Sequence, residues 1–301
     1  MKVMIVDIGS NTIKYDIFEA PCTQSIGHGS VAAGIIRYIE EGVLTEEGMQ
    51  ILTDILMRYQ AKAAEENIPL YAFATASLRR VRDPFAVISE VKARTGIEID
   101  LISGDMEAQL SLAGMLAATL HEKTGLMMDM GGGSTELNVF CETDSCFAVS
   151  CPFGALSLKN EFVKGTFPTI EEAQAIFDYT KSVYETYRES IRTDTLYMVG
   201  GSAKAVAKLL YHKRDRKCDF ADCMFCGEML KELAQEMIPC TEQDREMLKA
   251  MFPDRYAVVL PAAISYCALL SVCGAENVRV SVAGIREGYL LSKIENEDFC
   301  Q

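Results

Sequence analysis

Apolar and polar positions along the chain predict the same succession of strands and helices twice. In the first half, strands are predicted at 2–7, 15–20, 25–33, 70–75 and 98–103, and long helices at 45–67, from 84 onward and at 105–121. In the second half, strands are predicted at 126–130, 136–141, 146–152, 195–199 and 278–283, and helices at 155–163, 169–191, 203–212 and 285–296. The excess in the second half is a helical insertion, 213–275. The pattern therefore predicts one structural unit used twice.

Helix-start signals agree with these predicted boundaries. Thr45 precedes a first turn that holds Glu46 and Glu47, and Thr169 with Glu172 has the spacing of a capping box. Asp83 stands directly before Pro84, which is the usual order of a cap followed by a first-turn proline.

Three pairs of similar segments occur in matching order in the two halves. "DIGSNTIKYDIF" (7–18) resembles "DMGGGSTELNVF" (129–140), because each follows an apolar strand and begins Asp-x-Gly. "FATASLRR" (73–80) corresponds to "MVGGSAKA" (198–205), and "LISGDMEA" (101–108) to "SVAGIREG" (281–288). We interpret the three pairs as an internal duplication and predict a five-stranded mixed sheet in each half.

Composition restricts the function classes. The 301 residues are 49% apolar and carry a net charge of −14, which suits two globular domains and disfavours a nucleic-acid partner. No run of about 18 consecutive apolar residues and no signal-peptide pattern is evident, so we expect neither a membrane span nor secretion. Eleven cysteines in such a chain suggest a reducing cytoplasm. The spacing of Cys218, Cys223 and Cys226 fits no common zinc module, and we interpret them as buried or incidental thiols.

The two Asp-x-Gly segments predict anion-binding hairpins. We expect their glycines, Gly9 and those at 131–133, to adopt positive φ and to bring backbone N–H groups close to a ligand. Aspartates in the same turns would repel bare phosphate, so Asp7 and Asp129 suggest Mg²⁺ between carboxylate and phosphate. The predicted phosphate-binding residues are Gly9, Ser10, Asn11, Thr12, Gly131, Gly132, Gly133, Ser134, Thr135, Gly200 and Gly201.

The chain resembles the exopolyphosphatase/guanosine pentaphosphate phosphohydrolase (Ppx/GppA) family. The resemblance rests on "VDIGSNTIKYDIF", "ATASLRR", "ISGDMEA", "DMGGGSTEL" and "AGIREGYLL", which stand in this order along nearly the whole chain. The family belongs to the acetate and sugar kinase/Hsp70/actin superfamily, and the chain is similar to its short, two-domain members. The resemblance implies an α/β fold, in which duplicated actin-like (ribonuclease H-like) domains lie around a central cleft. We predict one domain at 1–121 plus the C-terminal helix 285–301, and the other at 122–284 with the insertion 213–275.

The resemblance also implies an activity, the hydrolysis of a terminal phosphoanhydride in inorganic polyphosphate or pppGpp, with Mg²⁺ as cofactor. By motif, Glu107 of "SGDMEA" is the base that activates water, and Arg79 clamps phosphate oxygens. Asp129 and Glu136, with Asp7, are the implied ligands of Mg²⁺. The duplication alone makes Glu287 an equal candidate for the base, and the family motif decides for Glu107.

The sequence departs from the family pattern at two places. Met106 stands where the family usually has a first acid before the catalytic glutamate, which affects metal affinity or substrate preference. The segment "DRYAVVLPAAI" (254–264) lacks an expected acid and glycine. These departures concern details of the site and leave the predicted fold unchanged.

Other functions stay open from the sequence. A sugar or carboxylate kinase of the same superfamily would present an aspartate to an acceptor hydroxyl. A nucleotide-gated binding module would carry a partner-binding segment, and a pppGpp-binding regulator could keep Glu107 without turnover. We expect an anionic substrate and neither a nucleic acid nor a membrane as partner, and both monomer and homodimer stay open.

Overall fold

The structure, a computed structural model, describes residues 1–119, 124–142, 144–220 and 223–295. The chain divides into two compact units, Met1–Ala117 with Ile285–Gln301, and Ala118–Gly284. The predicted helix ends at 121 and 296, the predicted domain boundary between 121 and 122, and the tail 296–301 lie outside the described residues.

The first unit is built on a five-stranded mixed sheet in the order β3-β2-β1-β6-β7. β1 pairs antiparallel with β2 and parallel with β6, and all but the first of its seven residues are buried. The strands are β1 Lys2–Ile8, β2 Ile13–Glu19, β3 Ser25–Val31, the short pair β4 Ile39–Glu40 and β5 Val43–Leu44, β6 Leu70–Ala74 and β7 Ile99–Leu101.

Helices cover the two faces of this first sheet. They are α1 Glu46–Glu65, α2 Ala76–Arg79, α3 Pro84–Thr95 and α4 Gly104–Ala118, with a 3₁₀ turn Ile35–Tyr38. The C-terminal helix Ile285–Glu295, named α11 below, also belongs to this unit. Thr45 and Asp83 cap α1 and α3 as predicted, because each side chain accepts a backbone N–H three residues on. α1 and α3 pack in one apolar cluster with Met4 and Val6, while α4 and α11 pack in another with Val3 and Ile5.

The second unit repeats this sheet and adds a strand, giving the order β10-β9-β8-β11-β13-β12 among the described residues. The strands are β8 Thr124–Met130, β9 Thr135–Cys141, β10 Asp144–Cys151, β11 Thr195–Val199, β12 Met224–Cys226 and β13 Asn277–Val280. The prediction of five strands is wrong for this unit. The insertion is not wholly helical, since β12 lies within it and pairs antiparallel with β13.

The helices of the second unit include the most apolar one in the described chain. They are α5 Ala155–Phe162, α6 Ile170–Glu185, α7 Gly200–Lys213, α8 Gly227–Met237, α9 Glu242–Met251 and α10 Tyr256–Cys273. α10 has 18 residues and is long and apolar enough to cross a membrane. The sequence analysis found no apolar run of this length, because polar residues interrupt the segment. Of this helix, 78% is buried within the protein, as expected for a core helix.

Candidate active site

In the first unit, candidate residues gather where β1, β6 and β7 reach their carboxyl ends. This is the usual position of ligand sites in open α/β sheets. Ser77 of α2 donates a hydrogen bond to the carbonyl oxygen of Ile8 at 3.0 Å, which ties α2 to the end of β1. Ile102, just after β7, donates its backbone N–H to Ala74 at the end of β6. These bonds hold Asp7, Arg79 and the start of α4 at one end of the sheet.

Glu107 lies in the first turn of α4 and is 8% exposed. Nη1 of Arg79 donates to Oε2 of Glu107 at 2.7 Å and to the carbonyl oxygen of Ile102 at 2.8 Å. Arg79 therefore fixes the direction of the Glu107 carboxylate. Met106, next to it in the sequence, is 44% exposed.

The hairpin from Asp7 to Thr12 is a tight turn closed by a hydrogen bond from Gly9 N–H to the carbonyl oxygen of Thr12, 3.1 Å long. The expected positive φ is wrong for Gly9 and for Gly131 of the other hairpin, since neither is left-handed. Glycine serves close approach instead, because a Cβ on Gly9 would lie 3.0 Å from the Thr12 oxygen.

Asp7 is balanced by cations within its own unit. Its register partner across the strands is Lys14, so the two side chains share one face of the sheet. Oδ2 of Asp7 lies 3.6 Å from Nη1 of Arg286, whose Nε forms an ion pair with Asp16. Burial opposes the charge of Arg286, but the carboxylates of Asp16 and Asp7 outweigh it and raise the pKa of the guanidinium.

In the second unit, Asp129 and Glu136 occupy the positions that correspond to Asp7 and Lys14. They are register partners on β8 and β9, so two carboxylates stand directly opposite each other. Glu136 is fully buried, and its Oε1 accepts a hydrogen bond from Ser150 at 2.9 Å. Like charges in this position repel, which a shared cation or proton relieves.

The glycine turn of this hairpin is closed by Gly131 N–H, which donates to the carbonyl oxygen of Ser134 at 3.0 Å. Ser134 is 6% exposed. Thr135 is fully buried, and its hydroxyl donates to the carbonyl oxygen of Phe153 at 2.7 Å. The Thr135 hydroxyl therefore anchors the turn to the chain before α5, and we assign it no contact with phosphate.

Gly200 and Gly201 are the first two residues of α7, which begins three residues earlier than predicted. Gly200 has φ +85°, and a Cβ there would lie 2.6 Å from Oδ1 of Asp129. A Cβ on Gly201 would overlap the guanidinium of Arg255. Burial lowers the pKa of Arg255, against the opposing charge of Asp254. The guanidinium of Arg255 therefore lies against Gly201 in the first turn of α7. The preceding residue, Gly200, lies against the carboxylate of Asp129.

The paired carboxylates of Asp129 and Glu136 are suited to binding Mg²⁺ together with other ligands. Within the described ranges, no three His, Cys, Asp or Glu side chains form a group that could hold a metal alone. Mg²⁺ commonly binds through one or two carboxylates, several waters and substrate phosphates. The opposed pair Asp129 and Glu136 therefore suits Mg²⁺ that arrives with an anionic substrate.

Of the three cysteines with metal-like spacing, Cys218 and Cys223 have their sulfurs 3.7 Å apart, and Cys226 is exposed.

A family model described as the Ppx/GppA phosphatase family matches residues 35–297. The chain belongs to this family. The predicted resemblance is thereby confirmed, and Glu107, Arg79, Asp129 and Glu136 all lie within the matched region.

Known members show how far the similarity extends. Exopolyphosphatase 1 of Mycobacterium tuberculosis is 23% identical over 99% of this chain and 89% of its own length. A guanosine-5'-triphosphate,3'-diphosphate pyrophosphatase of Pseudoalteromonas atlantica is 23% identical over 97% of this chain and 58% of its own length. The crystal structure of an exopolyphosphatase from Cytophaga hutchinsonii gives a TM-score of 0.87 at 20% identity, covering 98% of each chain. The predicted α/β fold class is confirmed, and the predicted class of phosphoanhydride hydrolase agrees with the names of these relatives.

Sequence reasoning missed two arginines of this family member. Arg286 stands in the quoted motif "AGIREGYLL", where only its neighbour Glu287 was given a possible role. Arg255 stands in "DRYAVVLPAAI", where only the missing acid and glycine drew attention. An arginine directly before a strongly apolar helix is a signal that could have been followed, since a guanidinium there needs an anionic or carbonyl partner.

Proposed function

We propose that this chain is a Mg²⁺-dependent hydrolase that releases terminal phosphate from inorganic polyphosphate, with pppGpp as a second substrate. The observation that carries the proposal is the Arg79–Glu107 pair at the carboxyl ends of the first unit's parallel strands. A carboxylate held in one orientation by a guanidinium suits the activation of water. Membership of the Ppx/GppA family and the names of the relatives support the same reaction class.

Glu107 acts as the general base in this proposal. Its carboxylate takes a proton from the attacking water as oxygen bonds to the terminal phosphorus and the bridging P–O bond breaks. The products are inorganic phosphate and a chain shorter by one phosphate. A positioned base typically contributes about 10²- to 10⁴-fold to the rate. Arg79 keeps the base in place through its second bond, to the carbonyl oxygen of Ile102.

We assign Asp129 as a ligand of Mg²⁺, and its register partner Glu136 as the second carboxylate at this position. When bound, Mg²⁺ neutralises charge on phosphate oxygens. The contrast between the two hairpins supports this choice over Asp7, because Asp7 already faces Lys14 and Arg286 whereas Asp129 faces a second carboxylate. Asp7 then stabilises the first hairpin and its ion-pair cluster.

A repeating anion suits the described donors better than a nucleotide does. The guanidinium of Arg255, which lies against Gly201 in the first turn of α7, offers fixed positive charge, which recognises phosphate without reading a base. This is why we place polyphosphate ahead of pppGpp.

The test is phosphate release from tripolyphosphate, long-chain polyphosphate, pppGpp and ATP, each with and without Mg²⁺. We expect Mg²⁺-dependent release that is faster from the two polyphosphates than from pppGpp, and slowest from ATP. Equal or faster release from pppGpp would reverse the substrate order. Binding of pppGpp without release from any of the four compounds would make the protein a regulator instead of a hydrolase.

A further inference from the structure

Several segments of the first unit follow one another along the edge of the sheet that carries Glu107. β1, β6 and β7 are parallel, and β3 runs in the same direction because both β1 and β3 pair antiparallel with β2. In the strand order β3-β2-β1-β6-β7, the outermost strands are therefore followed at this edge by the segment with Arg37 and by the segment with Glu107. The hairpin turn 9–12 and Arg79 lie between them. Arg37 and Glu107 thus stand at opposite ends of one row.

Two backbone hydrogen bonds keep the segment after β3 at this edge. The N–H of Gly34 donates to the carbonyl oxygen of Asn11 at 2.8 Å, and the N–H of Ile36 donates to that of Ser10 at 3.2 Å. The 3₁₀ turn Ile35–Tyr38, which contains Arg37, is therefore bonded directly to the turn between β1 and β2.

The guanidinium of Arg37 lies next to this contact. Gly34 has φ +59°, in the left-handed region that favours glycine, and a Cβ there would lie 3.4 Å from Nε and 3.7 Å from Cζ of Arg37. The arginine side chain therefore lies over Gly34, and the residue is exposed. Within the part of the chain that the structure describes, no carboxylate or carbonyl group accepts a hydrogen bond from this guanidinium. Its positive charge is accessible to an anion.

The row is longer than a short substrate. Neighbouring strands lie about 4.8 Å apart, so the four intervals from β7 to β3 span roughly 19 Å. Tripolyphosphate has only two bridging oxygens and, with its terminal phosphate at Glu107, covers part of this distance. A long polyphosphate continues along the edge, past Arg79 and the hairpin turn, to Arg37.

We propose that Arg37 binds a phosphate group of long-chain polyphosphate that is remote from the cleaved bond. The proposal rests on the proposed function, because it takes Glu107 to mark the position of the terminal phosphate. A guanidinium suits this role, since it is always charged and its planar fork matches phosphate oxygens. Arg37 then determines the preference for chain length, whereas Glu107 and Arg79 serve every substrate.

The experiment measures dissociation constants for tripolyphosphate and for long-chain polyphosphate in a Glu107→Gln background, where cleavage is slowed. We expect Arg37→Gln to weaken binding of the long chain about tenfold more than binding of tripolyphosphate, which is the usual effect of losing one hydrogen bond to a charged group. Arg37→Lys keeps the charge without the fork and should have a smaller effect. With Glu107 intact, Arg37→Gln should raise KM for the long chain more than KM for tripolyphosphate.

Arg58→Gln is the matched control. Arg58 is an exposed arginine of the same unit, on α1, and its Nε donates to the carbonyl oxygen of Asp54 at 3.2 Å. The variant removes the same charge from the surface of the unit but not from the row. It should therefore change the binding of the two ligands by the same small factor.

Equal weakening of both ligands by Arg37→Gln would overturn the inference, since Arg37 would then act near the terminal phosphate or through its charge alone. Unchanged affinity for both would overturn it as well and would make Arg37 a solvated surface residue. Failure of the proposed function looks different, because the unmodified chain would then neither bind nor cleave either polyphosphate.

Discussion

Nη1 of Arg79 lies 2.7 Å from Oε2 of Glu107, and both side chains are largely buried. The resemblance implied that Arg79 clamps phosphate oxygens, whereas the structure gives it a direct hold on the base. A guanidinium that bonds Glu107 and the Ile102 carbonyl with one nitrogen orients the carboxylate against the backbone of its own unit. We therefore assign to Arg79 the positioning of Glu107.

Arg79→Lys should lower kcat by about ten- to a hundredfold, because an ammonium cannot reproduce the planar fork and a misplacement of about 1 Å costs up to about that factor. KM should change much less. The control is Arg82→Lys, since the exposed guanidinium of Arg82 bonds only the carbonyl oxygen of Glu41 among the contacts described. Steady-state kinetics on tripolyphosphate measures both. A large rise in KM at constant kcat would instead favour the phosphate clamp.

Two buried tyrosines should respond in opposite ways to the loss of their hydroxyl groups. Tyr184 and Tyr266 are both fully buried, but only Tyr184 has a partner, Ser265 Oγ at 2.8 Å. Among the residues that the structure describes, no atom makes a hydrogen bond with Oη of Tyr266. Tyr184→Phe should lower the free energy of unfolding by about 1–3 kcal/mol, since it leaves Ser265 unsatisfied. Tyr266→Phe should be neutral or stabilising in urea denaturation. Equal destabilisation by both variants would refute the contrast.

Arg286 should be far more important for stability than an exposed arginine. Arg286→Met removes the guanidinium that pairs with the buried carboxylates of Asp16 and Asp7, which typically costs about 3–5 kcal/mol. Arg245→Met removes an exposed pair with Glu242 and should cost about 0–1 kcal/mol. Adding Asp16→Asn to Arg286→Met should recover part of the loss. The free energy of unfolding of all three variants tests this, and a loss below about 1 kcal/mol for Arg286→Met would contradict the described ion pairs.

Asp100 gives the first unit a defined response to acid. Burial raises the pKa of Asp100, but hydrogen bonds from Tyr289, at 2.6 Å, and Lys293, at 2.9 Å, outweigh burial and lower it. A lowered pKa stabilises the fold fully above the unfolded value of about 3.9, and this contribution is lost as pH falls through the folded pKa. The difference in unfolding free energy between wild type and Asp100→Asn should stay constant from about pH 6 to 5 and shrink below about pH 4. A constant difference down to pH 3 would argue against the shift.

The duplicated fold could be predicted because each half repeats signals that are local in sequence. Buried strands such as Lys2–Ile8 read as apolar runs, and helix starts at Thr45, Asp83 and Thr169 have side chains that cap them. β12 could not be predicted, because three residues show no alternation and Met224–Cys226 is a strand only through its pairing with β13.

Much of the candidate site depends on contacts between distant parts of the sequence. Arg255 meets Gly201, and Arg286 meets Asp16, only after the chain has packed. Thr135 looked like a phosphate donor because of its neighbours, but the direction of its hydroxyl follows from the position of Phe153. Sequence patterns identify residue types near a site, whereas hydrogen-bond directions require the packed structure.

The most direct test compares single-turnover phosphate release from tripolyphosphate by Glu107→Gln and by Glu287→Gln at saturating Mg²⁺. Both glutamates are buried in the first turn of a helix in the same unit, and the two helices, α4 and α11, pack so closely that a Cβ on Gly288 would overlap the backbone of Leu110. Glu287→Gln is therefore a matched control for burial and position. If Glu107 is the base, Glu107→Gln should slow release by about 10²- to 10⁴-fold, while Glu287→Gln stays within a few-fold of wild type. Slow phosphate release by Glu287→Gln, together with nearly wild-type release by Glu107→Gln, would contradict the account.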